Sequence, residues 1–371
     1  MSEIKVNSIK GVGASSAAIT VDNSSGSATA NLTAVNSVTM PNGGPLSNRN
    51  KIINGDFSQD QRNDGYEVNP AVHNTYYPDR WSAHKDQADK FKIQRISNDA
   101  PEGFKHALKC TVVNTHNPTG GNYFYLRQAI EGHNIIDLDM GKSTAKKISV
   151  SFFVKSSVTG IYSVAIRNDA YDCSAVGEYT VNSANTWERK TINFLAATSI
   201  GTWLTSNDIG IRLEFVLGAG SNYQTSTLLS FQSANKQAST NAVQWINNAG
   251  ATFLVTGVQL EKGASSTDYE QKSVEVEKRL CQRYYQKLNL PEDYATGFSN
   301  TYIYRTYYLP VEQRANGTGS VYSQCRYYSR SSGANYTPVI LPRIDRVIVR
   351  GNALSSARGF LDGVISLDAE L

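Results

Sequence analysis

Two stretches of the 371-residue chain set flat rings beside amide and guanidinium groups. One is Asn122-Tyr-Phe-Tyr125; the other is the run from Tyr302 to Tyr308, with Arg326, Arg330, Arg343 and Arg346 downstream. That pairing suits a pyranose, whose C–H face lies against an aromatic ring while its hydroxyls bond to Asn, Gln, Asp or Arg. Tyr123, Tyr125, Tyr302, Tyr304, Tyr307, Tyr308, Arg326 and Arg330 are therefore the candidate ligand contacts. The same tyrosines would serve equally well as packing in an oligomer interface, and the arginines as a solvated charged face.

Bond-making chemistry finds less support. The five histidines, His73, His84, His106, His116 and His133, have no HxH or HExxH spacing. Gly218-Ala-Gly220 lacks the third glycine of a dinucleotide fingerprint, and polar residues follow where a helix should begin. No G-x-S-x-G elbow occurs. Asp137-Leu-Asp139 and Asp368-Ala-Glu370 offer carboxylates, but a glycosidase draws its acid and nucleophile from distant strands, and nothing singles out a pair. The expectation is a protein that is not an enzyme and needs no cofactor. Cys110, Cys173, Cys281 and Cys325 lie far apart, with no CxxC, and read as reduced thiols of a protein made in the cytoplasm.

Charge excludes further classes. Lys plus Arg number 36 against 32 for Asp plus Glu, a net charge of +4 in a chain only 18% charged, which does not suit nucleic acid. The best apolar stretch, residues 252–258, is far short of the ~20 residues a bilayer needs, so no membrane insertion is expected. The first six residues carry no secretory signal pattern.

These residues must be held by something, and the texture of the chain divides it into four parts. Residues 1–48 hold only four charged side chains, Glu3, Lys5, Lys10 and Asp22, among Ser, Ala, Thr, Asn and Gly, and cannot form a core alone. Short alternations at Ile4-Lys5-Val6 and Ile19-Thr20-Val21 fit strands awaiting a partner surface, so this part reads as an attachment arm or as a disordered leader. Residues 49–271 show strands of four to nine residues between Gly, Asn, Ser and Asp turns, several alternating with period two. They predict an antiparallel jelly-roll sandwich, with Trp81 and Trp187 in its core and Asn54-Gly55 turning Phe57 inward. Residues 272–290 repeat Val276, Leu280, Tyr284 and Leu288 every four positions and predict one joining helix ended by Pro291. Residues 291–371 predict a smaller Tyr-rich β domain: the last 100 residues hold 11 of the 21 tyrosines and, with 13 basic against 9 acidic residues, the whole charge excess. The class is mainly β.

Eight short segments occur in one order between residues 50 and 315. They are Asn50-Lys-Ile-Ile-Asn-Gly-Asp-Phe57, Tyr77-Pro-Asp-Arg-Trp81, Leu126-Arg-Gln-Ala-Ile-Glu-Gly132, Ser149-Val-Ser-Phe-Phe-Val-Lys-Ser156, Asn185-Thr-Trp-Glu-Arg-Lys190, Val255-Thr-Gly-Val-Gln-Leu-Glu-Lys-Gly263, Leu280-Cys-Gln-Arg-Tyr-Tyr-Gln286 and Leu309-Pro-Val-Glu-Gln-Arg-Ala315. Together they resemble a group of bacteriophage tail-fibre and virion appendage proteins and, more distantly, jelly-roll carbohydrate-binding modules. Lys5-Val-Asn-Ser-Ile-Lys10 and Met40-Pro-Asn-Gly43 resemble the leader of such proteins.

The resemblance implies a non-enzymatic virion component, commonly trimeric, that docks on phage tail or capsid through its arm and faces a host cell-surface glycan. A capsid-bound decoration protein and a glycan-degrading tailspike are the alternatives. It also implies a structural calcium with Asp56 and Asp268 as candidate ligands. The charge and tyrosine content of the last 100 residues put the expected adhesive surface in the C-terminal domain.

Overall fold

In the computed structural model the described residues are 8–9, 19–21, 28–30, 48–69, 75–294, 297–298, 302–329, 334–352 and 359–371, without the side chains at 8–30, 291–303, 322–336 and 351–362. Met1–Leu46 are one unit, in which β1 (Ser8–Ile9), β2 (Ile19–Val21) and β3 (Ala28–Ala30) pair antiparallel in that order. The expected strand at 19–21 is therefore present, while 4–6 lies outside the described residues.

Ser47–Leu371 form the other unit. Its strands are β4 (Thr75–Tyr76), β5 (Ser82–Lys85), β6 (Phe91–Ile96), β7 (Ala107–Val112), β8 (Tyr123–Glu131), β9 (Ile148–Ser156), β10 (Gly160–Arg167), β11 (Ser174–Val181), β12 (Glu188–Phe194), β13 (Ile209–Ala219), β14 (Gln224–Thr225), β15 (Ala238–Ser239) and β16 (Thr252–Lys262). After helix α1 (Val274–Gln282) follow β17 (Tyr285–Tyr294), β18 (Gly297–Phe298), β19 (Tyr302–Tyr308), β20 (Thr318–Ser329), β21 (Ala334–Tyr336), β22 (Val339–Pro342), β23 (Arg346–Asn352) and β24 (Gly359–Asp368).

The protein is mainly β, and the predicted sandwich is there. A six-stranded antiparallel sheet ordered β11-β10-β13-β8-β5-β4 faces a five-stranded antiparallel sheet ordered β12-β9-β16-β7-β6 across one apolar core. Alternation within each strand sends Phe124, Leu126, Ile166, Leu213 and Phe215 inward from the first sheet and Phe152, Val154, Phe253 and Val255 inward from the second. Trp81 is fully buried, 5.2 Å from the Phe57 ring and 6.1 Å from Phe215, and its indole N–H donates to the Asn54 carbonyl at 3.0 Å. The turn before Phe57 needs its glycine: a Cβ on Gly55 would sit 2.2 Å from the Val258 carbonyl oxygen.

Two expectations are corrected. Trp187 is only half-buried; it precedes the edge strand β12 and its indole donates to Asp99 Oδ1 at 3.0 Å, outside the core. The joining helix covers Val274–Gln282, not 272–290, with Ser273 as its cap, its Oγ accepting from the Val276 amide. Residues 285–290 belong to β17, paired with β24, and Pro291, which has no N–H to give a ladder, falls in the register shift between Leu290 and Asp293.

The C-terminal strands form two four-stranded sheets, β17-β24-β20-β21 and β18-β19-β23-β22, around Leu290, Val347, Val349, Ile365 and Leu367. They do not stand apart as their own compact unit, because residues from α1 onward bond back to the sandwich. Glu131 takes Arg283 at 2.6 Å and the Tyr284 hydroxyl at 2.7 Å. Glu370 pairs with buried Arg80 and, at 3.2 Å, with Arg62, which also holds Asp368 at 2.6 Å. The Arg80 guanidinium lies 3.5 Å from the centre of the Tyr284 ring. Cys110, Cys173 and Cys281 are buried free thiols.

Candidate functional site

Residues at alternate positions of the six-stranded sheet point away from the core. In β8 these are Tyr123, Tyr125 and Arg127; in β5, Ser82 and His84; in β10, Ser163 and Arg167; in β13, Arg212, Glu214 and Val216. Register sets them side by side: His84 opposite Tyr125, Tyr125 opposite Val216, Arg127 opposite Glu214, and Arg212 opposite Arg167. The segment after β13 crosses this face. Ser239 N donates to Ser163 Oγ at 2.9 Å, and Tyr125, Val216, Ala219 and Ala238 form a small apolar cluster with Tyr123 and Tyr223 against it.

Between that segment and the sheet lies a pocket of about 470 Å³, lined among others by His84, Tyr123, Tyr125, Arg127, Arg167, Tyr171, Arg212, Tyr223, Asn235 and Gln237. Its rings are fixed by one another. His84 stacks on Tyr125 at 4.9 Å with planes 4° apart, Tyr123 sits 5.6 Å from Tyr125, and Tyr223 meets Tyr123 edge-on at 5.9 Å. Tyr125 is the buried floor, whereas Tyr123, Tyr171 and Tyr223 keep part of their surface open. Burial first, and then the Glu214 carboxylate, push the Tyr125 phenol well above its usual range, so it stays protonated.

The guanidinium groups are held with equal definition. Arg167 donates to Asn235 Oδ1 at 2.6 Å and to Glu214 Oε1 at 2.5 Å. Arg212 donates to the Asn168 carbonyl at 2.7 Å and to Asp169 at 2.6 Å. Arg127 bonds the Tyr171 hydroxyl at 3.1 Å, and the Tyr171 ring lies 4.5 Å from the Arg167 guanidinium and 4.1 Å from that of Arg212. Tyr171 itself sits at φ +59°, a left-handed conformation that a bulky side chain adopts only where its surroundings hold it. Among the described residues, the buried Nε of Arg167, Nε of Arg212 and Oε1 of Gln237 have no hydrogen-bond partner.

Two of the eight candidate contacts from the sequence, Tyr123 and Tyr125, lie here. Tyr302, Tyr304, Tyr307 and Tyr308 belong to β19 in a different sheet. There Tyr308 is 73% exposed with the Arg346 guanidinium 5.5 Å from its ring, Tyr304 is 40% exposed, and Tyr307 packs against the small C-terminal core. The Tyr302 and Arg326 side chains and all of Arg330 lie outside the described residues. Arg127, Arg167, Arg212, His84, Tyr171, Tyr223 and Gln237 were not among the candidates. For His84, Arg127, Arg167 and Arg212 the one signal is a charged or polar residue alternating with apolar ones inside a strand, as in Ile211-Arg212-Leu213-Glu214-Phe215; Tyr171, Tyr223 and Gln237 lie outside the strands and carry none.

A larger groove of about 700 Å³ lies between Gln94, Lys109, Lys155 and Thr252 on the five-stranded sheet. Among the described residues no aromatic side chain lines it, and two of its cations are already engaged, Lys155 on Asp99 at 2.8 Å and Arg95 beside Asp60 at 3.6 Å. It lacks the ring faces that sugar recognition needs, so the smaller pocket is the better candidate. Of the two candidate calcium ligands, Asp268 accepts from Gln259 Nε2 at 3.3 Å through its backbone carbonyl. Asp56 accepts from Ser58 N at 3.1 Å, and no group of three or more His, Cys, Asp or Glu residues is placed to hold a metal among the described residues.

No protein-family model matches the chain, and no curated protein sequence matches it. Solved structures with similarity include the enzymatically active domain of tailspike protein 4 from bacteriophage CBA120, at 11% identity and a TM-score of 0.30, covering 57% of this chain and 21% of that one. The match thus spans about a fifth of the tailspike chain. A putative sugar-binding protein from Bacteroides thetaiotaomicron is similar at 14% identity and a TM-score of 0.32, covering 58% of this chain and 100% of that one. A family 11 carbohydrate-binding module from a cellulosomal cellulase of Clostridium thermocellum is similar at 13% identity and a TM-score of 0.26, covering 54% and 98% of the two chains.

Proposed function

We propose that the chain is a non-catalytic glycan-binding protein of a bacteriophage particle, a tail fibre whose arm, Met1–Leu46, docks on the virion and whose sandwich engages a host cell-surface glycan. The observation that carries the binding role is the pocket on the six-stranded sheet. Partly open Tyr123, Tyr171 and Tyr223 rings supply faces for pyranose C–H groups beside fixed Arg, Asn and Gln groups that exchange hydrogen bonds with hydroxyls. The order of eight segments between residues 50 and 315 supports the virion assignment. Exposed Tyr304 and Tyr308 offer a second, shallower contact. Weak single contacts would gain strength from a homotrimer and from several copies on each particle.

The test is a binding titration of the purified chain against a panel of host-envelope polysaccharides. Tyr123→Ala should weaken binding by up to roughly tenfold, the range for one aromatic contact, with the unfolding midpoint little changed. A panel without a ligand, or a Tyr123→Ala chain that binds as well as the parent, would sink the assignment. Shortened oligosaccharides after incubation would replace it with the glycan-degrading spike. Particles imaged with a label on the chain separate tail fibre from capsid decoration.

A further inference from the structure

One lining residue of the pocket comes from the C-terminal sheets. Leu371, three residues beyond the end of β24, lines it together with Ile209 and the arginines and tyrosines already described. Register shows where it stands. Tyr76 is opposite Ser82, and Ser82 is opposite Arg127, so the three share one row across the six-stranded sheet. The Tyr76 hydroxyl donates to the Leu371 carbonyl at 2.6 Å, which sets Leu371 at the β4 end of that row.

Every residue of the segment 368–371 is tied to groups outside its own strand. Arg62 holds Asp368 at 2.6 Å, the Ala369 amide donates to the Tyr284 carbonyl at 2.7 Å, Glu370 pairs with Arg80, and Leu371 packs against the cluster of Ile53, Cys281 and Tyr284. Arg314, from the loop between β19 and β20, binds this segment to the sandwich. Its Nε donates to the Ala369 carbonyl at 2.9 Å, one Nη to the Glu370 carbonyl at 3.2 Å and the other to the Asn207 carbonyl at 2.9 Å. The Asn207 side-chain amide returns a bond to the Arg314 carbonyl at 3.1 Å. Asn207 stands two residues before Ile209, the first residue of β13 and itself part of the lining. The C-terminal sheets therefore reach the pocket twice, directly at Leu371 and through Arg314 at the start of β13.

We propose that the C-terminal sheets complete the glycan pocket, with Leu371 as one of its walls and Arg314 as the positioning residue, so that glycan binding and docking of these sheets on the sandwich strengthen each other. This rests on the glycan-binding reading above and goes beyond it in making the site a joint product of both parts of the chain. A glycan that meets Leu371 makes more contact with the docked state than with an opened one, and a ligand shifts an equilibrium by its differential affinity for the two states. Linkage makes the effect reciprocal. The factor by which docking tightens glycan binding is the factor by which bound glycan suppresses opening.

Hydrogen–deuterium exchange on the full chain reads this, with a hexasaccharide cut from the envelope polysaccharide that binds in the titration above as the probe. Peptides covering β24 and residues 369–371 exchange when the sheets open, and saturating hexasaccharide should slow them by about fivefold or more, the lower end of typical coupling between sites. Arg314→Lys, which cannot reach three carbonyls at once, should speed that exchange without hexasaccharide and weaken hexasaccharide binding together. Leu371→Gly should weaken binding severalfold, and Leu371→Met, which keeps an apolar side chain of similar volume, should retain it. If a variant does not fold, the exchange of the parent with and without hexasaccharide still decides.

Slower exchange in β8 and β13 with β24 unchanged overturns the inference and leaves glycan binding standing. A Leu371→Gly chain that binds the hexasaccharide as tightly as the parent does the same. Failure of every polysaccharide in the titration overturns both readings together.

Discussion

Glu370 is the side chain on which the junction between the sandwich and the C-terminal sheets turns, and Glu370→Gln tests it. The carboxylate is 5% exposed; it accepts from the 1% exposed side chain of Arg80, from Arg62 at 3.2 Å, and from the Arg80 amide at 3.3 Å. Burial alone would lower the Arg80 guanidinium; the Glu370 charge, with smaller help from Tyr284, Tyr76 and Cys281, holds Arg80 above its usual value. Removing one partner of a buried pair costs about 3 to 5 kcal/mol, since the other charge is left uncompensated. Here the loss should fall near the lower end, about 3 kcal/mol, because Arg80 keeps the Ala129 carbonyl and the Tyr284 ring, and Arg62 keeps Asp368. Urea unfolding followed by tryptophan fluorescence, in which Trp81 reports the sandwich core, and by far-ultraviolet circular dichroism, which also counts the C-terminal strands, reads it. The C-terminal sheets should melt ahead of the sandwich in the variant, splitting one transition into two. An Arg80→Met, Glu370→Leu double variant should recover much of the loss, an apolar pair needing no compensation. A loss below about 1 kcal/mol for Glu370→Gln, with one transition retained, would show that the ion pairs do not hold the junction.

Three further outcomes are expected. Trp81→Ala should cost about 3 to 5 kcal/mol, whereas Trp187→Ala should cost far less, and equal losses in urea unfolding would contradict the burial difference between them. Asp79 is buried, and burial raises its carboxyl to about 6 despite the Gln61 hydrogen bond, so the folded state holds a proton that the unfolded chain, with a carboxyl near 4, has released between those values. Ionising it costs stability as pH rises from about 4 to about 6; Asp79→Asn should remove that cost, about 3 kcal/mol at pH 7, and flatten its share of the slope, while a variant less stable at pH 7 would reverse the sign. Deleting residues 1–46 should leave the unfolding midpoint of the remainder nearly unchanged and abolish incorporation into particles, and incorporation without them would move the docking surface elsewhere.

How far the sequence reached depends on which spacings are ambiguous. Period-two alternation identified the sandwich strands because a strand places every second side chain inward, as at Phe124 and Leu126. It could not tell which strands would be neighbours. β8, β13 and β10 are adjacent although they are not consecutive in the chain, and only that pairing brings Arg127, Arg212 and Arg167 to one pocket. The helix was overextended for a related reason. A repeat of four residues satisfies a helix face, but four is also a multiple of two, so Tyr284 and Leu288 fit a strand as well. The backbone follows helix as far as Gln282 and turns to strand at Tyr285, where pairing with β24 gives residues 285–290 ladder bonds that a free helix end would lack. Asp368 and Glu370 show the same limit in chemistry. Two acids one residue apart leave a strand on the same side, which the sequence conveys; that the facing groups are Arg62 and Arg80, some 300 residues earlier in the chain, makes them a clamp and takes them out of any catalytic pair. A carboxylate's role is set by the charge it meets, and that charge is fixed by the fold and not by the neighbouring residues in the chain.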